Sequence, residues 1–193
     1  MQRRFAGSLG LALLVIWGVL AIHPVSRSDW LLENTLVFIS VPLIAWFGPR
    51  LPLSNAAYAC LFVFFVLHLI GAHYTYSEVP FIGSGRNNYD RVVHFLYGLL
   101  MARPTMDLLA ARAPSRGIWL WLLPVLFLTS HGAIYEILEW VAAERFGGGL
   151  GEAFLGTQGD GWDAQKDMAM ASVGAMLGVS AWLLVPRPAS RND

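Results

Sequence analysis

The residues able to do chemistry are crowded into two stretches of this chain. One is Asn87-Asn88-Tyr89-Asp90-Arg91-Val92-Val93-His94, with Arg86 just before it. The other is the last third, with His131, Tyr135, Glu136 and Glu139, then Gln158-Gly159-Asp160, Asp163, Lys166 and Asp167. Asp90 and His94 are four apart and share one helical face. Glu136 and Glu139 are three apart, on neighbouring rows of one helix. Asp160, Asp163 and Asp167 follow at spacings of three and four. If a helix begins near Gly159, they form one acidic stripe, which a metal, a bound proton or a nearby arginine would relieve. Imidazole and carboxylate oxygens together suit a divalent cation. The expected metal set is His94, Glu136, Asp160, Asp163 and Asp167. A metal-held water could then attack a lipid ester or phosphoester. Asp90, His94, Glu136, Glu139 and Asp163 are the candidate catalytic groups, with Lys166 as an acid. Arg86, Arg91 and Tyr135 are the candidate ligand-binding groups, because a guanidinium fork suits a phosphate. Simpler roles stand beside these. Asp90 fits a helix N-cap, carboxylates suit the positive end of a helix, and interfacial acids can be merely hydrated.

The elements that must carry these residues are apolar spans. Of 193 residues, 56% are hydrophobic and 13% charged, about half the charged share of a soluble domain. Mean hydropathy is +0.53. Six spans are expected, about 5–22, 31–47, 56–72, 92–109, 118–141 and 168–185. At roughly 20 residues each they leave no room for a soluble domain. The fold expected is therefore all-α, a single six-helix transmembrane bundle. The fourth span is interrupted by Arg103-Pro104 and could end near Met101. The first reads as an uncleaved anchor, since His23-Pro24-Val25 has no small-x-small cleavage pattern. Spans one to three carry almost no charge, and no motif repeats between the halves, which argues against an inverted-repeat transporter. Gly174 and Gly178 form a GxxxG face suited to close packing within the chain. Gly83-Ser84-Gly85-Arg86 matches no phosphate-loop pattern and reads as a turn. Cys60, the single cysteine, excludes an intramolecular disulfide.

Net charge is zero, and nothing resembles a nucleic-acid footprint. Membrane lipids are the expected partners. Basic residues flank the spans unevenly: Arg3, Arg4, Arg50, Arg103, Arg112, Arg116, Arg187 and Arg191 fall on one side, with Arg27, Arg86, Arg91, Arg145 and Lys166 on the other. The positive-inside rule then puts both termini in the cytoplasm of a bacterial cell, the protein lying in its inner membrane. Eleven of the 13 acids fall on or near the outer side, all but Asp107 and Asp193. Helical rise of about 1.5 Å per residue puts His94 about 6 Å, and Glu136 about 8 Å, below that surface. His94, Glu136 and at least one of Asp160, Asp163 and Asp167 should therefore converge in the outer third of the bundle. His73 at the outer boundary could join them, and His68 could link helices.

Several of these motifs occur together in a known family. His73-Tyr74-x-Tyr76, Arg86-Asn-Asn-Tyr89-Asp90-Arg91-x-x-His94-Phe95, Tyr135-Glu136-x-x-Glu139-Trp140 and Gln158-Gly-Asp160-x-Trp162-Asp163-x-Gln165-x-Asp167-Met168 resemble the YjdF-like family. The likeness spans about residues 30 to 185 and implies a bacterial inner-membrane protein, without implying a reaction. More distantly, the acidic Asp-x-x-Asp-x-x-x-Asp run into a small-residue helix looks like the VanZ-like membrane family. Some members of that family are linked to the cell envelope, and its pattern more often has Asn where this chain has Asp167. Three functions remain open: a metal-dependent envelope enzyme, a proton- or cation-coupled transporter, and a non-catalytic membrane partner. A topology reporter fused after Arg187 is expected to read as cytoplasmic; an outer reading would invert every side assigned above.

Overall fold

The structure, a computed structural model, describes residues 2–80, 85–146 and 148–185, leaving out the side chains at 150, 152 and 153. Gly83, Ser84 and the closing Pro186-Arg187-Pro188 lie outside the described residues. The described chain is all-α. Its helices are α1 (Gln2–Leu20), α2 (Arg27–Phe47), α3 (Asn55–His73), α4 (Tyr89–Arg112), α5 (Trp119–Phe146), α6 (Gly148–Leu155) and α7 (Asp163–Leu184). A 3-10 turn, Gly48–Arg50, follows α2. Five of them, α1, α2, α3, α5 and α7, are long and apolar enough to cross a membrane. Their outward faces are apolar, as at Leu14, Ile39, Phe127, Ile137 and Leu177. With α4 they make the polytopic membrane bundle expected from the hydropathy.

The helix α4 is the most polar of these and does not break at Arg103-Pro104. Its backbone continues to Arg112. Pro104 forfeits one backbone bond, and its ring is buried against neighbours. Arg103 is answered on three sides. Its Nε donates to Ser54 Oγ at 3.1 Å and lies 3.1 Å from Asp107 Oδ1, while its guanidinium covers the Trp182 ring. Ser54 in turn caps α3 by accepting from Ala57 N–H, and its hydroxyl donates to Asp107 Oδ2 at 2.7 Å. The interruption expected from sequence is thus absorbed by a capped, ion-paired junction.

Helices α4 and α7 form the most extensive interface of the bundle. Glycines make it possible. A Cβ at Gly98 would collide with the Ala171 carbonyl, one at Gly174 with the Phe95 carbonyl, and one at Gly178 would sit 2.5 Å from the Leu99 carbonyl. The GxxxG face therefore packs within the chain, backbone against backbone. α5 packs on α7 and α4, and α3 on α4, completing the core around Phe64, Leu69, Val93 and Leu128.

The helix ends differ from expectation where it matters for the site. α2 begins at Arg27, capped by Ser26, so Asp29 lies in its first turn. α5 runs on to Phe146, and α6 occupies part of the expected connection 142–161. α7 begins at Asp163, five residues before the expected Met168. Overpacking a close interface costs about 1–3 kcal/mol. Gly98→Ala should therefore lower the thermal unfolding midpoint in detergent clearly. Gly10→Ala on α1, where nothing lies within 4 Å of the added methyl, should leave it unchanged or raise it. Equal losses at both positions would dismiss the seam as the organising contact.

Candidate functional site

Both connections at the acidic end of the bundle are tied down by side chains. Asn87 Nδ2 donates to the Ser77 and Val79 carbonyls at 3.0 and 2.7 Å, and its Oδ1 accepts from Tyr89 N–H. Asn88, not Asp90, holds the N-cap position of α4, which corrects the capping expectation for Asp90. Gln158 exchanges two 2.9 Å bonds with the Asn87 backbone. These contacts join the connection before α4 to the one before α7.

A brace of ion pairs lies beside them. Arg86 Nη2 meets Asp163 Oδ1 at 2.5 Å, and the same guanidinium donates to the Thr157 and Gly156 carbonyls. Arg91 Nη2 bridges Asp160 Oδ2 at 2.5 Å and Asp163 Oδ1 at 3.2 Å. Lys166 Nζ reaches Asp160 Oδ2 at 2.6 Å and remains half exposed. The expected stripe of three aspartates is corrected here. Helix α7 starts at Asp163, so Asp160 belongs to the connection and only Asp163 and Asp167 share the helix. Asp160 and Asp163 are matched by cations and do not face His94 at ligand distance among the described residues. Arg86 and Arg91, expected to hold a phosphate, hold these carboxylates. Lys166 sits in the same brace.

The groups that do converge lie on three helices. His94 Nε2 is 3.4 Å from Asp90 Oδ1 and 3.5 Å from Glu136 Oε1. Ligand atoms of Asp90, His94 and Asp167 lie within 4.8 Å of one another, as do those of His94, Glu136 and Glu139. A cation bound at about 2.0–2.6 Å to each of three donors needs spacing of this order. Glu136 is 9% and Asp167 2% exposed. Glu136 Oε1 and Asp167 Oδ1 have no hydrogen-bond partner. Buried carboxylate oxygens are costly unless answered by a donor or a cation. The donor set thus fits a divalent cation, with Asp167, Glu136 and His94 from the sequence expectation, and with Asp90 and Glu139 in place of Asp160 and Asp163.

This cluster opens on a cavity of about 290 Å³ between α2, α3, α4 and α5. At the polar end Glu33, Asp90, His94, Tyr135 and Glu139 face it; farther in, Leu36, Leu61, Phe65, Met101 and Leu108 do. The Tyr135 ring centroid stands 6.2 Å from that of His94. Deeper, the Tyr97 hydroxyl and His131 Nδ1 are 2.9 Å apart, on stacked rings. His68 links helices as expected. Its Nε2 must donate to the Glu33 carbonyl at 3.1 Å, because a carbonyl only accepts. A neutral ring then accepts at Nδ1 from Tyr76 O–H at 2.6 Å. Burial pushes the Tyr76 phenol well above its usual range, so it stays a donor. His73 does not join the cluster; its Nδ1 donates to the Leu20 carbonyl.

The acids of α2 escaped the sequence reading. Asp29, Glu33 and Asn34 are buried, and Glu33 lines the cavity. Their signal was present: two carboxylates four apart at the start of an apolar span share one face. The low overall charge of the first three spans masks that pair.

Residues 6–187 match the model of a family described as "Predicted membrane protein (DUF2238)". The chain is 35% identical over 181 residues to "Inner membrane protein YjdF" of Escherichia coli (strain K12), covering 88% of this chain and 83% of that protein. No solved structure matches.

The brace generates a pH expectation. Lys166, the Trp162 N–H and Arg91 hold the Asp160 carboxyl well below the usual carboxylate range. A depressed folded-state value means its contribution is complete above about pH 3.9, the unperturbed value, and is lost as pH falls through the lowered value. Hydrogen exchange of the connection before α7 should therefore be as slow at pH 5 as at pH 7, after correction for intrinsic rates. Asp160→Asn should speed it several-fold at both. Equal exchange in the variant and the parent would remove the brace from the account.

Proposed function

The chain belongs to this family of predicted membrane proteins, and on that footing we propose that it is a multi-pass inner-membrane protein whose His94 cluster binds a divalent cation and works on the head of an envelope amphiphile. The proposed orientation has both termini cytoplasmic and the cluster near the outer face. The single observation that carries the reading is His94 at the centre of two carboxylate triads, at the mouth of a cavity that turns apolar below it.

In this reading the cation is shared by His94, Asp90 and Asp167, with Glu136 as a further donor. Held there, a divalent cation would supply a water of lowered pKa able to attack a phosphoester or acyl ester of the head, the ester oxygen leaving as the protonated alcohol. Glu139 would take the proton from that water, and Tyr135 would orient the head. The ion-paired brace of Arg86, Arg91, Asp160, Asp163 and Lys166 holds the start of α7, and so the position of Asp167. The likeness of that acidic run to the VanZ-like family accords with an envelope role. Transport has less support, because the cavity wall is mostly apolar beyond its polar end, whereas ion paths are lined by polar groups.

Metal content of the purified protein tests this, with Mn2+ as the probe. The parent should hold about one ion per chain after dialysis. His94→Ala and Asp167→Asn should each lose it, by tenfold or more in affinity, while Glu144→Gln, at an exposed acid near the end of α5, retains it. A parent that binds no Mn2+, Mg2+ or Zn2+ would sink the metal reading.

A further inference from the structure

The reading above leaves one wall of the cavity unexplained. On α2, Asp29 and Glu33 lie one turn apart at 1% and 5% exposure. Both oxygens of Asp29 and Oε2 of Glu33 lack a hydrogen-bond partner. None of the ion pairs among the described residues includes either of them. The basic group nearest in sequence, Arg27, is spent elsewhere: it donates to the Ala21 carbonyl and lies over the Trp30 ring. The neighbouring polar side chain is self-contained, for Asn34 donates to the Trp30 carbonyl and accepts from Trp17 Nε1. Glu33 is different, because it is one of the residues lining the cavity that His94 also lines.

An unanswered carboxylate on a cavity wall selects its ligand. It needs positive charge, and its buried oxygen needs a hydrogen donor. A metal ion is disfavoured here, since neither metal-competent triad among the described residues includes Asp29 or Glu33. A quaternary ammonium supplies charge but no N–H. A primary ammonium supplies both, with three donors. The apolar wall below excludes a ligand that is polar throughout.

We propose that Glu33 receives a primary ammonium group on the head of the amphiphile, so that the substrate class is an amine-bearing lipid, with Asp29 adding negative charge from one turn away. This rests on the reading that the amphiphile binds with its head at His94. The head then spans two features of opposite demand: its amine meets Glu33 on α2, and its ester group meets the His94 cluster, whose residues would hold the cation. A lipid with an anionic head would set like charge against Glu33, and one with a trimethylated head would leave the carboxylate oxygen without a donor.

The test compares single-chain lipids that differ only in the head: phosphoethanolamine, its N-trimethyl counterpart phosphocholine, and phosphoglycerol. Binding to the purified full chain is read in detergent, beside free ethanolamine. The expected result is at least tenfold tighter binding of the phosphoethanolamine lipid than of the other two, with free ethanolamine weaker still. Glu33→Gln should bring the phosphoethanolamine lipid down to the phosphocholine value while Mn2+ content stays that of the parent. His94→Ala should lose Mn2+ yet keep the preference for the amine. Equal binding of the three lipids to the parent overturns the proposal, and that comparison stands even if Glu33→Gln does not fold. A preference that survives in folded Glu33→Gln also overturns it, as does free ethanolamine binding as tightly as the lipid. A parent that binds no Mn2+ but prefers the amine fails the metal reading alone, and a parent that binds Mn2+ without that preference fails this one alone.

Discussion

The contact on which the rest depends is the backbone-to-backbone seam between α4 and α7. Gly98 meets the Ala171 carbonyl, and Gly174 and Gly178 meet the carbonyls of Phe95 and Leu99. At that distance no side chain can intervene, so the register of the two helices has almost no freedom. His94 precedes Phe95 directly, and Asp167 lies one turn before Ala171. Locking the seam therefore locks the imidazole of one helix against the carboxylate of the other. In hydrocarbon, association relies on such close packing and on hydrogen bonds, because apolar side chains gain little by leaving lipid. The small residues of α7 are what make a precise polar site affordable inside an apolar bundle.

Charge is handled in two contrasting ways at the same end of the molecule. In the brace, every carboxylate has a cation: Asp160 has Arg91 and Lys166, and Asp163 has Arg86 and Arg91. Such pairs, partly open to solvent, fix geometry at modest net energy. One turn inward the balance reverses. Asp90, Glu136, Glu139 and Asp167 surround a single imidazole, and Glu33 faces them across the cavity. A bundle that only needed to stand up would gain from neutral residues at these positions, since buried charge is a weak source of stability. Stability alone therefore does not account for the carboxylates kept beside this cavity.

The same contrast appears at the opposite end. Arg103 and Asp107 answer one another and Ser54, and the junction of α3 with α4 is closed by them. Neither oxygen of Asp107 is among the unpartnered buried atoms of the described residues. Polar groups there hold helices together, whereas those near His94 leave carboxylate oxygens of Glu136 and Asp167 unmatched.

The sequence by itself determined the class of structure and the faces within each helix. Apolar stretches of spanning length can only be helices in lipid, so an all-α bundle followed directly. The spacing of Asp90 with His94, of Glu136 with Glu139, and of Gly174 with Gly178 was legible because a single helix has a known period. Tertiary structure decided which charge answers which. Asp160, Asp163 and Asp167 look alike in sequence, yet two of them meet arginines and the third meets His94. That difference depends on where α7 starts, three residues after Asp160, and on how α7 is rotated against α4. Asp29 and Glu33 share a helical face by their spacing, but only the packing of α2 on α3 sets Glu33 in the wall of the cavity that His94 lines. Helical periodicity fixes angles about one axis only. The register and rotation between axes come from shape, here from glycines that let two backbones touch.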